Sequence, residues 1–273
     1  MSDASTGSAH RVLDRFTPAT QDWFRGAFSA PTPAQAGAWD AISAGRHALV
    51  VAPTGSGKTL SAFLWAIDRV FRERTDAGDA APAKGTARTR ILYISPLKAL
   101  GVDVERNLRS PLVGIGQSAR RLGLAAPSVS VGVRSGDTTS SDRRKLVSDP
   151  PDILITTPES LYLMLTSRAG ETLRDVHTVI IDEVHAVAAT KRGAHLAVSL
   201  ERLDALRRAG REDTSPAQRI GLSATVRPID EVARFLGGSE PVEIVAPKAS
   251  KTFDLSVVVP MADMTNPGWE MCI

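Results

Sequence analysis

The sequence predicts an α/β fold, a doubly wound and mostly parallel sheet flanked by helices. Three observations predict it. Short apolar runs rich in Val, Ile and Leu recur along the chain, helix-like stretches lie between them, and a glycine-rich turn follows the first run. The runs are Ala48–Ala52, Ile91–Ile94, Val129–Val133, Ile153–Ile155, Val179–Ile181 and Ile220–Leu222. They are continuous rather than alternating, the pattern of parallel strands buried on both faces. The helix-like stretches are Leu60–Glu73, Ala99–Leu108 and His195–Arg208. In the last of these Leu196, Leu200, Leu203 and Leu206 recur at three- or four-residue intervals and make one apolar face. The polar stretches 75–89 and 209–218 read as surface loops, and no internal repeat is present.

At 273 residues, with 42% hydrophobic and 23% charged side chains, the chain is long enough for one well-buried domain and too apolar for general disorder. A formal charge of +3 says little about a polyanionic partner, because potential depends on where the charges sit. The polar segment 1–10 lacks the apolar core of a signal peptide. No apolar run approaches the roughly 18 residues of a membrane span. Cys272, the one cysteine, has no disulfide or thiolate partner, and His185 and His195 are too far apart for a zinc-binding helix pair. A soluble cytoplasmic protein with no membrane partner is expected.

Ala52-Pro53-Thr54-Gly55-Ser56-Gly57-Lys58-Thr59 follows the first buried run and opens a helix. That is the context a phosphate-binding loop requires. Gly55 and Gly57 let successive N–H groups turn into one concavity, and the helix N-terminus adds partial positive charge there. Thr54 and Ser56 belong to the same cradle. Lys58 can reach the β- and γ-phosphates of ATP, and the Thr59 hydroxyl can ligand Mg²⁺. Ala52 stands where the general pattern has glycine.

Val179-Ile180-Ile181 leads into Asp182-Glu183-Val184-His185. Two acids at the end of a buried strand lie at the carboxyl edge of the sheet, where ligands bind in such folds. Asp182 is expected to hold Mg²⁺ and Glu183 to orient the attacking water. His185 is a candidate for coupling hydrolysis to the rest of the molecule.

Together these segments resemble the DEAD/DEAH-type superfamily 2 helicases. Phe28–Gln35 looks like the Q motif and Ala52–Thr59 like motif I. Ser95-Pro96-Leu97-Lys98-Ala99-Leu100 resembles motif Ia, and Thr156-Thr157-Pro158-Glu159-Ser160-Leu161 motif Ib. Asp182–His185 matches motif II and Ser223-Ala224-Thr225 motif III. Within that superfamily the large helicase-related (Lhr) proteins are most similar, through Tyr93–Val104, Arg134–Thr138 and Lys191–Leu196. The resemblance implies a RecA-like P-loop NTPase fold. It implies adenine recognition by Gln35, with Phe28 or Trp23 available to pack on the base. Ser95, Lys98, Arg134 and Thr157 would touch a nucleic-acid backbone, with Lys191 and Arg192 as further candidates. Ser223 and Thr225 would transmit the nucleotide state.

The expected organisation is a polar tail over 1–10, an ATP-binding RecA-like domain over 11–246, and over 247–273 a truncated connection toward a missing second RecA-like domain. No Gln-x-x-Gly-Arg-x-x-Arg run follows Thr225 to supply arginine fingers. The expected partners are single-stranded DNA or RNA and that second motor domain, or a separately encoded equivalent. Two readings stay open: an ATP-dependent helicase represented by its first motor domain, and an ATP- and strand-binding module without turnover. A P-loop kinase or small GTPase fits the phosphate loop but not Ser223-Ala224-Thr225 or the Gln35 segment. DNA versus RNA and the direction of travel are open, and repair is what the resemblance implies.

Overall fold

A computed structural model describes residues 11–76, 78, 88–209 and 215–247, and within these not the side chains of 98–102. The polar tail, most of the first expected surface loop, half of the second, and Cys272 lie outside the described residues. Among the described residues, no helix is long and apolar enough to cross a membrane.

The expected sheet is present, all parallel and seven-stranded, in the order β3-β4-β2-β5-β6-β1-β7. The strands are β1 (His47–Val51), β2 (Ile91–Ile94), β3 (Val131–Arg134), β4 (Ile153–Thr156), β5 (Thr178–Ile181), β6 (Gln218–Ser223) and β7 (Val242–Val245). Each apolar run of the sequence falls on one of the first six, shifted by no more than two residues at either end. Because the strands are buried on both faces, alternate residues feed opposite cores. Ala48, Val50, Ile91, Tyr93, Ile153, Ile155 and Ile180 pack on one side. Leu49, Val51, Leu92, Ile94, Leu154, Val179 and Ile181 pack on the other.

The first face is covered by α1 (Pro18–Ala27), α2 (Pro33–Ser43), α3 (Lys58–Asp76) and α4 (Lys98–Arg121). The second is covered by α6 (Pro158–Leu165), the 3₁₀ turn Arg168–Leu173, α8 (Lys191–Arg208) and α9 (Ile229–Gly237). Two short helices, α5 (Ser140–Ser148) and α7 (His185–Ala188), are also present.

The largest departure from expectation is α4. It extends to Arg121, past Pro111, rather than ending near Leu108. Proline removes a helical hydrogen bond and glycine costs about 1 kcal/mol per residue, so local propensity argues for a stop here. Tertiary packing overrides it. Val104, Leu108, Ile115 and Ala119 are buried in the core, and Gly114 gives α1 room, since a Cβ there would lie 2.2 Å from the Trp23 ring.

Candidate nucleotide and strand site

The ends of β1, β2, β4, β5 and β6 carry the motifs, so the parallel arrangement gathers them at one edge of the sheet. After β1 the chain turns through Gly55 and Gly57, both with left-handed φ, 81° and 79°. A Cβ on Gly57 would also lie 2.5 Å from Gln35 Nε2, so this position needs glycine twice over. Lys58 then starts α3, and its Nζ donates to the Ala52 carbonyl at 2.5 Å.

The segment before α2 braces this loop from below. Thr32 and Gln35 form a reciprocal capping box: the Thr32 N–H donates to Gln35 Oε1 (2.9 Å), and the Gln35 N–H donates to Thr32 Oγ1 (3.2 Å). Thr32 Oγ1 in turn donates to the Ser56 carbonyl at 3.0 Å. Gln35 is thus buried against the phosphate loop with its Oε1 already engaged. Phe28 is exposed and packs edge-on against Trp23, with ring centroids 5.9 Å apart.

Asp182 closes β5. Its Oδ1 accepts from the Glu183 N–H at 2.9 Å, and its Oδ2 accepts from the buried Tyr93 hydroxyl. Burial, and next the Asp182 carboxylate, push the Tyr93 phenol far above its ordinary range and hold it as a donor. Glu183 has a left-handed φ of 44°, uncommon for a side chain of this kind. His185 Nδ1 lies 3.2 Å from Ser223 Oγ and 3.4 Å from Glu183 Oε2, so motifs II and III touch through one imidazole. Thr225 is exposed just beyond β6.

A cleft of about 540 Å³ unites these parts. Thr54, Gly55, Gly57, Lys58, Thr59, Asp182 and Glu183 line it together with Trp23 and Phe28. Residues of α4 that sequence reasoning left unassigned line it too, including Asp103, Asn107 and Ser110 at helical spacing. Their signal was present as i, i+4, i+7 polar positions; Asp103 and Asn107 lie within the expected helix, and only Ser110 lies past its expected end. Tyr93 was also missed as a partner of Asp182, since sequence spacing alone cannot pair two strand positions 89 residues apart.

The expected strand-contacting residues divide into several kinds. Ser95 is buried, its hydroxyl donating to Leu97 O at 2.9 Å, and Thr157 is the buried N-cap of α6. Lys98 opens α4, its side chain lying outside the described part. Arg134 is buried at the end of β3, with Nη1 unpartnered among the described residues, and burial, then Arg143, lowers its affinity for a proton. Lys191 is exposed at the start of α8. Arg192 is committed within the chain: its guanidinium meets Glu159 Oε1 at 2.6 Å and the Pro96 carbonyl at 3.1 Å. It thereby ties the loops of motifs Ia and Ib to α8, a role its sequence position did not suggest. The hydrogen bond from Arg192 holds Glu159 below the usual carboxylate range.

Comparison with known proteins fits this architecture. A helicase from Mycolicibacterium smegmatis described as Lhr helicase/probable uracil glycosylase is 66% identical over 255 residues, which is 93% of this chain and 16% of that protein. The Lhr helicase/uracil glycosylase of Escherichia coli is 59% identical over 253 residues, again 93% of this chain and 16% of the relative. The chain therefore spans about a sixth of the length of these curated relatives. A solved structure of Mycobacterium smegmatis helicase Lhr bound to ssDNA and AMP-PNP superposes with a TM-score of 0.79 at 64% identity, covering 93% of this chain and 31% of that one. The sequence profile of the DEAD/DEAH box helicases matches residues 32–233, and the chain belongs to that family.

Proposed function

We propose that this chain is the ATP-binding motor domain of an Lhr-type helicase, and that it couples ATP hydrolysis to movement along a single strand when joined to a second motor domain. The observation that carries the reading is the single cleft shared by the phosphate loop and the Asp182–Glu183 pair. One half of that cleft can grip the polyphosphate and the other can activate water at its end. The mycobacterial structure described with ssDNA and AMP-PNP supports the same ligands here.

In this reading the N–H groups from Gly55 to Thr59 bind the phosphates, and Lys58 leaves the Ala52 carbonyl to neutralise charge between β and γ. Thr59 and Asp182 both line the cleft and both offer hard oxygen donors, so they suit Mg²⁺. When bound there, the ion would supply neutralisation of developing phosphate charge. Glu183 accepts a hydrogen bond from the attacking water and aims it in line. The Glu183–His185–Ser223 chain then carries the occupancy of the cleft to motif III. Lys98 and Lys191 contact the strand backbone, whereas buried Ser95 and Thr157 fix the turns beside them and Arg192 ties those segments together.

Lys58 is the only cation among the described residues lining the cleft. Arginine fingers in related NTPases contribute about 10³ to 10⁵ in rate, so turnover by this chain alone is slow. ATP turnover with and without single-stranded DNA or RNA, beside Glu183→Gln, tests the assignment. Strand-stimulated turnover that falls by about 100-fold or more in the variant supports it. ATP binding without turnover above that variant would make the chain a binding module. Turnover indifferent to Glu183 would overturn the site.

A further inference from the structure

We infer that Tyr93 is a positioning residue for the metal-holding carboxylate, fixing which face of Asp182 is presented to the cleft. This rests on the reading of Asp182 as a Mg²⁺ site. Tyr93 lies on β2 and Asp182 follows β5, and these two strands are hydrogen-bonded neighbours with Ile94 paired to Ile181. The pairing brings the phenol beside the carboxylate from the core side. The Tyr93 ring is fully buried and stacked on Phe63, with centroids 5.0 Å apart and planes inclined by 26°. A ring clamped in this way has few alternative rotamers, so its hydroxyl is a fixed donor rather than an opportunistic one.

Both oxygens of Asp182 are therefore pinned. Oδ2 takes the Tyr93 hydroxyl, and Oδ1 takes the Glu183 N–H. The remaining lone pairs point in directions set by the protein before any ligand arrives. Hydrogen bonds that orient a ligand side chain are worth about 10–100-fold in metal affinity when removed. Without the hydroxyl, Asp182 keeps its charge, and the Oδ1 bond alone is left to oppose rotation about the Cβ–Cγ axis. The same carboxylate lies next to Glu183, so the phenol also keeps Asp182 from turning toward the water-activating group.

Tyr93→Phe removes one oxygen and retains the stack on Phe63. The test is binding of a fluorescent, non-hydrolysable ATP analogue across a series of free Mg²⁺ concentrations, for the wild-type chain, Tyr93→Phe and Asp182→Asn. The expected result is that half-saturating Mg²⁺ rises about tenfold in Tyr93→Phe. Binding without metal and the thermal midpoint stay close to wild type, which a loss of packing would not allow. An unchanged or tighter Mg²⁺ dependence in Tyr93→Phe, with a clear dependence in the wild type, overturns the inference. A wild-type chain whose binding ignores Mg²⁺, or an Asp182→Asn variant that matches it, overturns the Asp182 assignment itself.

Discussion

Single residues in the nucleotide cleft are held by more than one constraint, and their substitution separates binding from folding. Gly57 combines a φ of 79° with the approach of Gln35 Nε2, so Gly57→Ala forces either the loop or the amide to move. Nucleotide affinity should fall by at least about tenfold, while the loss of stability stays within about 1–3 kcal/mol because the core lies elsewhere. Equilibrium nucleotide titration beside urea unfolding checks both halves. That Lys58, Thr59, Asp182 and Glu183 share one cleft was legible in the sequence, because short motifs follow directly on the buried runs of β1 and β5. Their partners were not. Tyr93 and the Thr32–Ser56 hydrogen bond depend on which strands and loops become neighbours, and no local pattern encodes that.

Elements show the same division. The buried strands were readable because continuous apolar runs admit few alternatives. The edge strand β7 was missed because Glu243 interrupts its apolar residues and it is half-exposed. The helix α4 was cut short because propensity weighs Pro111 and Gly114 against it, whereas packing on α1 decides the outcome. At the start of α8, Thr190 caps the helix by accepting from the Gly193 N–H at 3.1 Å, and a Cβ on Gly193 would fall 2.1 Å from the Val187 carbonyl oxygen. That neighbour is backbone and cannot swing aside. Gly193→Ala should therefore destabilise the chain by about 3 kcal/mol, at the upper end of ordinary overpacking, measured as a lower urea midpoint. Because Arg192 precedes this glycine, the same change should also disturb the tie to Glu159 and Pro96 and weaken strand binding.

Across the whole molecule, the candidate site and the ion pairs that bear on acid stability sit at opposite edges of the sheet. The motifs lie at the carboxyl ends of the strands. At the amino ends, just before β2, β4 and β5, lie Arg90, Asp152 and His177. Arg74 and Arg90 reach Asp152, and Glu73 on α3 meets Arg90 at 2.5 Å and His177 at 3.5 Å. Burial alone would raise the Glu73 carboxyl, but His177 and Arg69 outweigh it and hold it at about 2, below its ordinary 4.5. A depressed carboxylate stabilises the fold above its unfolded value and loses that contribution as pH falls from about 4.5 toward 2. His177 is lowered from 6.5 by burial, so the unfolded chain takes up a proton that the folded one resists, and stability begins to decline below that pH. Glu73→Gln should cost about 2 kcal/mol at pH 7 and flatten the acid limb below pH 4.5. Nucleotide affinity should be unchanged, as urea unfolding against pH beside a nucleotide titration would show.

The left-handed backbone at Glu183 has a consequence for how this fold can be improved. A side chain of this type in that conformation costs about 1 kcal/mol, and asparagine tolerates it better. Glu183→Asn should therefore yield a chain that is sturdier than its parent and catalytically silent, whereas Glu183→Gln should be silent with no gain in sturdiness. Any selection for robustness alone would drift away from glutamate at this position. In the proposed reading only a demand for hydrolysis holds glutamate there, so the one non-glycine residue with a left-handed backbone among the described residues is also the one assigned to water activation.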